Sequence, residues 1–226
     1  MSKTIIISLG GSLIVPNEID VNFLKKFRQL ILNFTKKDGR VVIVTGGGRT
    51  NKKYNEAAQK LAKIKNVDLD WLGIAVTKLN AELIRVIFGN AAYEKVVINP
   101  TLKIKTNKKI IVAAGWLPGC SSDNDAILWA KNLGAKKVIN LSNIDYIYNK
   151  DPHKFRDAQP LENLKWAEYR EMVGSKWIPR MHAPFDPVAS CSAEKWGIEV
   201  AIMRGTDLNN FQNFLNGKKF KGSVLN

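Results

Sequence analysis

The 226-residue sequence carries 35 lysines and arginines against 20 aspartates and glutamates, a formal charge of +15, and 45% of its residues are hydrophobic. That length and hydrophobic fraction suit one sizeable core and exclude a disordered chain, while the charge favours an anionic partner: nucleic acid, a membrane surface or a phosphorylated small molecule. Cys120 and Cys191 are too few for a disulfide framework and no run approaches the ~20 apolar residues that span a bilayer, so a soluble, cytoplasmic protein in a reducing compartment is expected.

In chain order, KTIIISL (3–9) reads as a strand; the run is split by Gly-Gly and lacks the cleavage site of a signal peptide. VNFLKKFRQLILNF (21–34) places Phe23, Phe27, Leu30 and Phe34 at helical spacing. RVVIVT (40–45) is the next strand, followed by helical patterns over 49–63 and 70–88. KVVIN (95–99), KKIIVAA (108–114) and KKVINLS (136–142) read as strands, with a helix over 124–133 between the last two. A helix over 185–196 leads to the last strand, EVAIM (199–203). Near-continuous apolar strands are those covered on both faces, and Gly39, Gly89, Gly134 and Gly197 stand where helices stop. Strands alternating with helices predict an α/β protein: a three-layer α/β/α sandwich with a mostly parallel central sheet. Residues 143–183 are irregular enough to form a lid or subdomain. The lysine doublets at 25–26, 36–37, 52–53, 108–109, 136–137 and 218–219 are spread along the chain and read as a solvated basic surface.

In such a sheet ligands bind at the carboxyl ends of the strands. Three of these ends are rich in glycine: Gly10-Gly11-Ser12, Gly46-Gly47-Gly48 and the stretch from Gly115 to Gly119. Glycine lets backbone N–H groups approach a phosphate, and a following helix adds its positive N-terminal end. Neither GxxxxGK[ST] nor a helix-opening GxGxxG follows the first strand, which disfavours a P-loop kinase and a Rossmann dehydrogenase. His153 and His182 have no metal-ligand spacing, Cys120 lacks a base partner, and Trp71, Trp129 and Trp196 suit core or interface positions.

The ordered set SLGGSL, VTGGGRTNKKY, DWLGIAVTKLNAELI, GWLPGCSSDNDA and NIDYIYNKDP resembles the amino-acid kinase superfamily and, within it, the uridylate kinases of the compact archaeal type; the likeness runs to the closing GSVL. The resemblance implies transfer of the γ-phosphate of ATP to UMP in pyrimidine nucleotide biosynthesis, with Mg²⁺, by a homohexamer built from dimers. It implies a single amino-acid kinase domain over 1–226, with an acceptor half over about 1–120 and an ATP half over about 121–226. By resemblance, Gly10, Gly11 and Ser12 hold the transferring phosphoryl group. Gly47, Gly48 and Lys52 lie at the acceptor phosphate, Asp70 receives the ribose hydroxyls, and Gly115, Ser121, Ser122 and Asp123 face UMP. Ser142, Asn143, Tyr148 and Asp151 match the ATP side, Tyr148 against the adenine face, and Asp145 organises the phosphates and the Mg²⁺ that ATP carries. Asp186 in WIPRMHAPFDP (177–187) is the matching acid before the last core helix. Helix capping is an alternative reading of both Asp70 and Asp186.

Three departures stand out: Ser8 where many superfamily members have lysine, Tyr146 in place of the glycine of an Asp-Gly pair, and serine for threonine at 121 and 122. They leave two other readings open, a superfamily kinase acting on a carboxylate or another small phosphate, and a nucleotide-binding regulatory or storage protein. Direct nucleic-acid binding has no aromatic-basic module behind it.

Overall fold

The computed structural model describes residues 4–37, 39–174, 176 and 183–226. Strand β1 (Thr4–Leu9) leads through a short turn of helix, α1 (Gly11–Ile14), to α2 (Val21–Lys36) and β2 (Arg40–Thr45). Helices α3 (Gly48–Leu61) and α4 (Asn66–Phe88) precede β3 (Ile110–Ala113), and α5 (Ser122–Leu133) precedes β4 (Lys137–Ser142). After β4 come three two-residue strands, β5 (Ile147–Tyr148), β6 (Pro160–Leu161) and β7 (Asn163–Leu164), then α6 (Trp166–Val173) and α7 (Pro187–Trp196). The chain closes with β8 (Glu199–Arg204), α8 (Leu208–Leu215) and β9 (Ser223–Leu225).

The central sheet has the order β3-β2-β1-β4-β8-β9-β7. All its pairings are parallel except that of β8 with β9. Alternate side chains of each strand enter opposite cores. Ile5, Ile7 and Leu9 pack with Phe27, Phe88 and Phe211 of α2, α4 and α8; Ile6, Val42 and Val44 pack with Trp129 of α5, Tyr169 of α6 and Ala189 of α7. This is the three-layer α/β sandwich that the alternating pattern predicts.

Three local expectations are corrected. The segment 95–99 forms no strand: only isolated bridges join Ala92 to Ile110 and Val97 to Ala113. Pro100 has no N–H to continue a ladder, and the Asn99 side chain accepts from the Thr101 N–H at 2.9 Å, turning the chain away. Helix α4 starts at Asn66, with Lys65 at its N-cap, so Asp70 lies one turn inside the helix and does not cap it. Residues 143–174, the described part of the 143–183 stretch read as a lid or subdomain, are tied to the main sheet, because β7 pairs with β9 and the Ser223 hydroxyl accepts from the Ile147 N–H at 2.8 Å while donating to Leu161 O. Asp186 does cap α7, accepting from the Val188 N–H at 2.7 Å. Trp177 and His182 lie outside the described residues.

Candidate functional site

The strands β1, β2, β3, β4 and β8 finish on one edge of the sheet, where register sets Leu9 beside Thr45 and Leu141, and Ser142 beside Arg204. From β1 the chain steps outward to β2 and β3, then returns on the far side of β1 as β4. The boundary between β1 and β4 is therefore the switch point at which an open α/β sheet forms its crevice.

At this point the first two glycine loops interlock. The Gly10 N–H donates to Leu141 O at 2.9 Å, and a Cβ on Gly10 would stand 2.8 Å from the same carbonyl. A Cβ on Gly11 would stand 2.5 Å from the carbonyl carbon of Gly46, 2.6 Å from that of Gly47, and would overlap the Gly48 nitrogen. The space that Gly10 and Gly11 leave open is thus filled by the protein's own backbone. The Gly10 N–H is also spent on β4, leaving the N–H groups of Gly11 and Ser12, at the start of α1, without helical partners. Gly48 adopts φ +62°, a conformation open to glycine, and the Asn80 amide donates to Gly46 O and Gly47 O at 2.7 and 3.2 Å. Ser12 is exposed.

Gly47, Asp70, Gly115, Ser121 and Ser122 line one cavity of about 160 Å³ together with Asn51, Asn55, Gly73, Thr77, Leu117, Cys120 and Asp125. Asp70 accepts from the Gly119 N–H at 2.9 Å, which ties α4 to the third glycine loop. Thr77 accepts from the Gly115 N–H at 2.9 Å and donates to Ile74 O at 2.7 Å. Burial pushes the Cys120 thiol up to about 12, with the Asp125 carboxylate adding to the shift, so this group stays a neutral thiol in the wall. Lys52 is not part of the lining: it is half exposed on α3 and stands 3.9 Å from Glu56. Gly48 and Asp123 also lie outside the lining.

Asp123 turns instead to the switch point, where it accepts from Ser8 Oγ at 2.7 Å and from the Asn140 amide at 2.8 Å. Burial, with the neighbouring Asp186 charge adding to it, raises its carboxyl to about 6 despite the hydrogen bond from Ser8. Asp186 is itself raised, mainly by burial, against the pull of the Ser121 N–H that donates to it at 2.6 Å. Ser8, 2% exposed, is thus a short hydroxyl donor to a buried carboxyl.

On the other side of β4, Asp145 is held by Arg204 through two bonds of 2.6 and 2.8 Å, and that guanidinium keeps its carboxyl below the ordinary range. Ser142 and Asn143 lie at the end of β4, their side chains 3.4 Å apart. Tyr148 lies in β5, edge-on to Tyr146 at 6.2 Å. Asp151 accepts from the His153 N–H at 2.9 Å as a turn former. Tyr146 lines a separate cavity with Glu162, Asn213, Lys219 and Lys221.

Arg204, Asn51, Asn55, Thr77, Asn80 and Asp125 escape a sequence reading. Arg204 directly follows the apolar run Val200–Met203 of β8, a cation delivered to the carboxyl edge. Asn51 and Asn55 stand four apart on a helix that begins at a glycine loop.

Residues 3–204 match the amino acid kinase family. The uridylate kinase of Staphylothermus marinus is 33% identical over 227 residues, covering 100% of this chain and 99% of the relative. That of Methanospirillum hungatei is 34% identical over 225 residues, covering 98% and 94%. The crystal structure of uridylate kinase from Archaeoglobus fulgidus superposes with a TM-score of 0.82 at 26% identity, covering 99% and 100%. UMP kinase from Bacillus anthracis, at 17% identity and a TM-score of 0.80, shares the fold. With glycine loops meeting at the β1/β4 switch point and relatives matching from end to end, the chain belongs to the amino acid kinase family.

Proposed function

We propose that the protein transfers the γ-phosphate of ATP to UMP, giving UDP. The observation that carries this reading is the cavity beside the glycine loops, which gathers Gly47, Asp70, Gly115, Ser121 and Ser122 from three separate segments of the chain. Full-length relatives named uridylate kinase support the choice of acceptor. Phosphoryl transfer asks little covalent chemistry of a protein; it needs two anions held in line and their charge neutralised. In this reading the Gly11 and Ser12 N–H groups meet the transferring phosphoryl group and the cavity holds UMP, with Asp70, acceptor-only when ionised, receiving the vicinal ribose hydroxyls. The end of β4 and the segment to Asp151 take ATP, so the two halves of the domain, about 1–120 and 121–226, meet at the switch point. Lys52 reaches the acceptor phosphate only by leaving Glu56, a surface pair worth about 0.5 kcal/mol.

Among the described residues no three His, Cys, Asp or Glu side chains stand together to hold a metal, and Asp145 is engaged by Arg204. These residues do not form a Mg²⁺ site by themselves, and the ion enters in this reading with ATP. The apolar residues Trp71, Leu79 and Val86 exposed along α4 support self-association, in line with a homohexamer. No helix of the described residues is long and apolar enough to cross a membrane, which is compatible with a cytoplasmic biosynthetic enzyme.

The test is a coupled assay with ATP and Mg²⁺ across UMP, CMP, dCMP, AMP and GMP. UMP is expected to give the highest kcat/KM, and equal turnover of AMP would overturn the assignment.

A further inference from the structure

The acceptor cavity holds more polar groups than ribose and phosphate recognition use. Asn51 and Asn55 line it from one side of α3, and Asp125 lines it from the first turn of α5. Asn55 and Asp125 are 2% and 3% exposed. One carboxyl oxygen of Asp125 accepts from the Trp116 N–H at 3.2 Å. Its other oxygen, and the amide oxygens of Asn51 and Asn55, have no partner among the described residues. A buried polar atom left unpaired is costly, and three around one cavity point to a ligand that completes them.

The chemistry of the wall limits what that ligand is. Among the described residues no lysine or arginine lines the cavity, so its Asn51–Asn55 end does not suit phosphate. Helix α3 starts at Gly48, and Asn55 lies seven residues further, about 10 Å along the axis, so the wall extends from the glycine loops toward the far end of a bound nucleotide. Each asparagine offers both a donor and an acceptor, which matches a ring carrying an N–H between two carbonyl oxygens. Burial raises Asp125 to about 7, with the Asp186 and Asp123 carboxylates adding to the shift and the Trp116 N–H opposing it, so the acid form that can donate to a carbonyl is well populated at neutral pH.

We propose that Asn51, Asn55 and Asp125 form the base-reading wall of the acceptor site and recognise a pyrimidine through its ring N–H and carbonyl groups. The proposal rests on the UMP reading above and names the side chains that select the base. It is tested by calorimetric titration of wild type, Asn55→Leu, Asp125→Leu and Asp125→Asn with UMP and with ribose 5-phosphate, which has no base, after circular dichroism confirms folding. Each leucine variant is expected to weaken UMP about tenfold and to leave ribose 5-phosphate unchanged. Asp125→Asn, whose amide still donates, is expected to keep most of the UMP affinity. Equal weakening of both ligands, or no weakening of UMP, would overturn the wall, as would a wild type that does not bind UMP. A wild type that binds UMP without phosphorylating it would instead sink the kinase reading, while the titrations still decide the wall.

Discussion

On the side of the carboxyl edge proposed to hold the acceptor, Gly11 packs against the backbone of Gly46–Gly48, Asn80 holds the carbonyls of that loop, and Asp125 is buried among cavity residues. On the side proposed to take the donor, Asp145 and Arg204 hold each other with side chains 45% and 42% exposed, beside strands of only two residues. The first region owes its shape to steric exclusion and buried hydrogen bonds, the second to charge in contact with solvent. Substitutions at the interlocked glycine loops should therefore disturb structure and activity together, whereas those on the donor side should separate them.

The largest effect is expected at the interlock. Gly11→Val places a branched side chain into the second glycine loop, and loss of a single positioned backbone donor is worth ~10²–10³ in rate. Turnover should fall at least that far, and Tm should fall as well, since forced overpacking costs about 1–3 kcal/mol at roughly 2–4 °C for each. A folded variant with normal Tm would show that the loops do not need each other.

Asp70→Asn should come next. Asp70 holds the Gly119 N–H and, in the proposed function, the ribose; losing charge-assisted bonds worth about 1.5–3 kcal/mol should raise the UMP KM about 10- to 150-fold with the ATP KM little changed. Steady-state kinetics with each substrate varied in turn would contradict this if both constants moved alike.

Arg204→Ala probes the donor side. An exposed pair contributes at most about 1 kcal/mol, so Tm should move by no more than ~4 °C, yet the KM for ATP should rise severalfold as Asp145 loses its orienting partner. A large drop in Tm with ATP kinetics intact would erase the contrast between the two sides.

The smallest effect sharpens the acceptor side through pH. Because burial raises Asp125 from the ordinary range near 4 to about 7, the folded chain keeps a proton that the unfolded chain releases. Stability therefore declines as pH rises between those values. Asp125→Asn removes that decline, so its Tm relative to wild type should improve by a few degrees between pH 5 and pH 8. A constant difference between the two melting curves would show that Asp125 ionises freely when folded.

Much of the frame was legible. RVVIVT coincides with β2, KKVINLS and EVAIM differ from β4 and β8 by one residue at an end, and KTIIISL contains β1, because a strand covered on both faces leaves an unbroken apolar run. The strands β5, β6, β7 and β9 were not legible, since two or three residues carry no periodicity. Asp70 looked like a helix cap because the apolar pattern begins beside it, while the helix itself begins at Asn66.

By itself the sequence determined the layers, the parallel strands and the glycine-rich turns after them, because apolar period and the loss of a Cβ are local properties that a single chain segment carries. Which backbone fills the space at Gly11, which cation meets Asp145 and which oxygens gather around the acceptor cavity were decided only by the tertiary structure. Each depends on two segments brought together by the strand order: Gly11 with Gly46–Gly48, Asp145 with Arg204, and Asn51 and Asn55 with Asp125. The β1/β4 switch point and the register between neighbouring strands set those distances, and neither is written in any one segment of the chain.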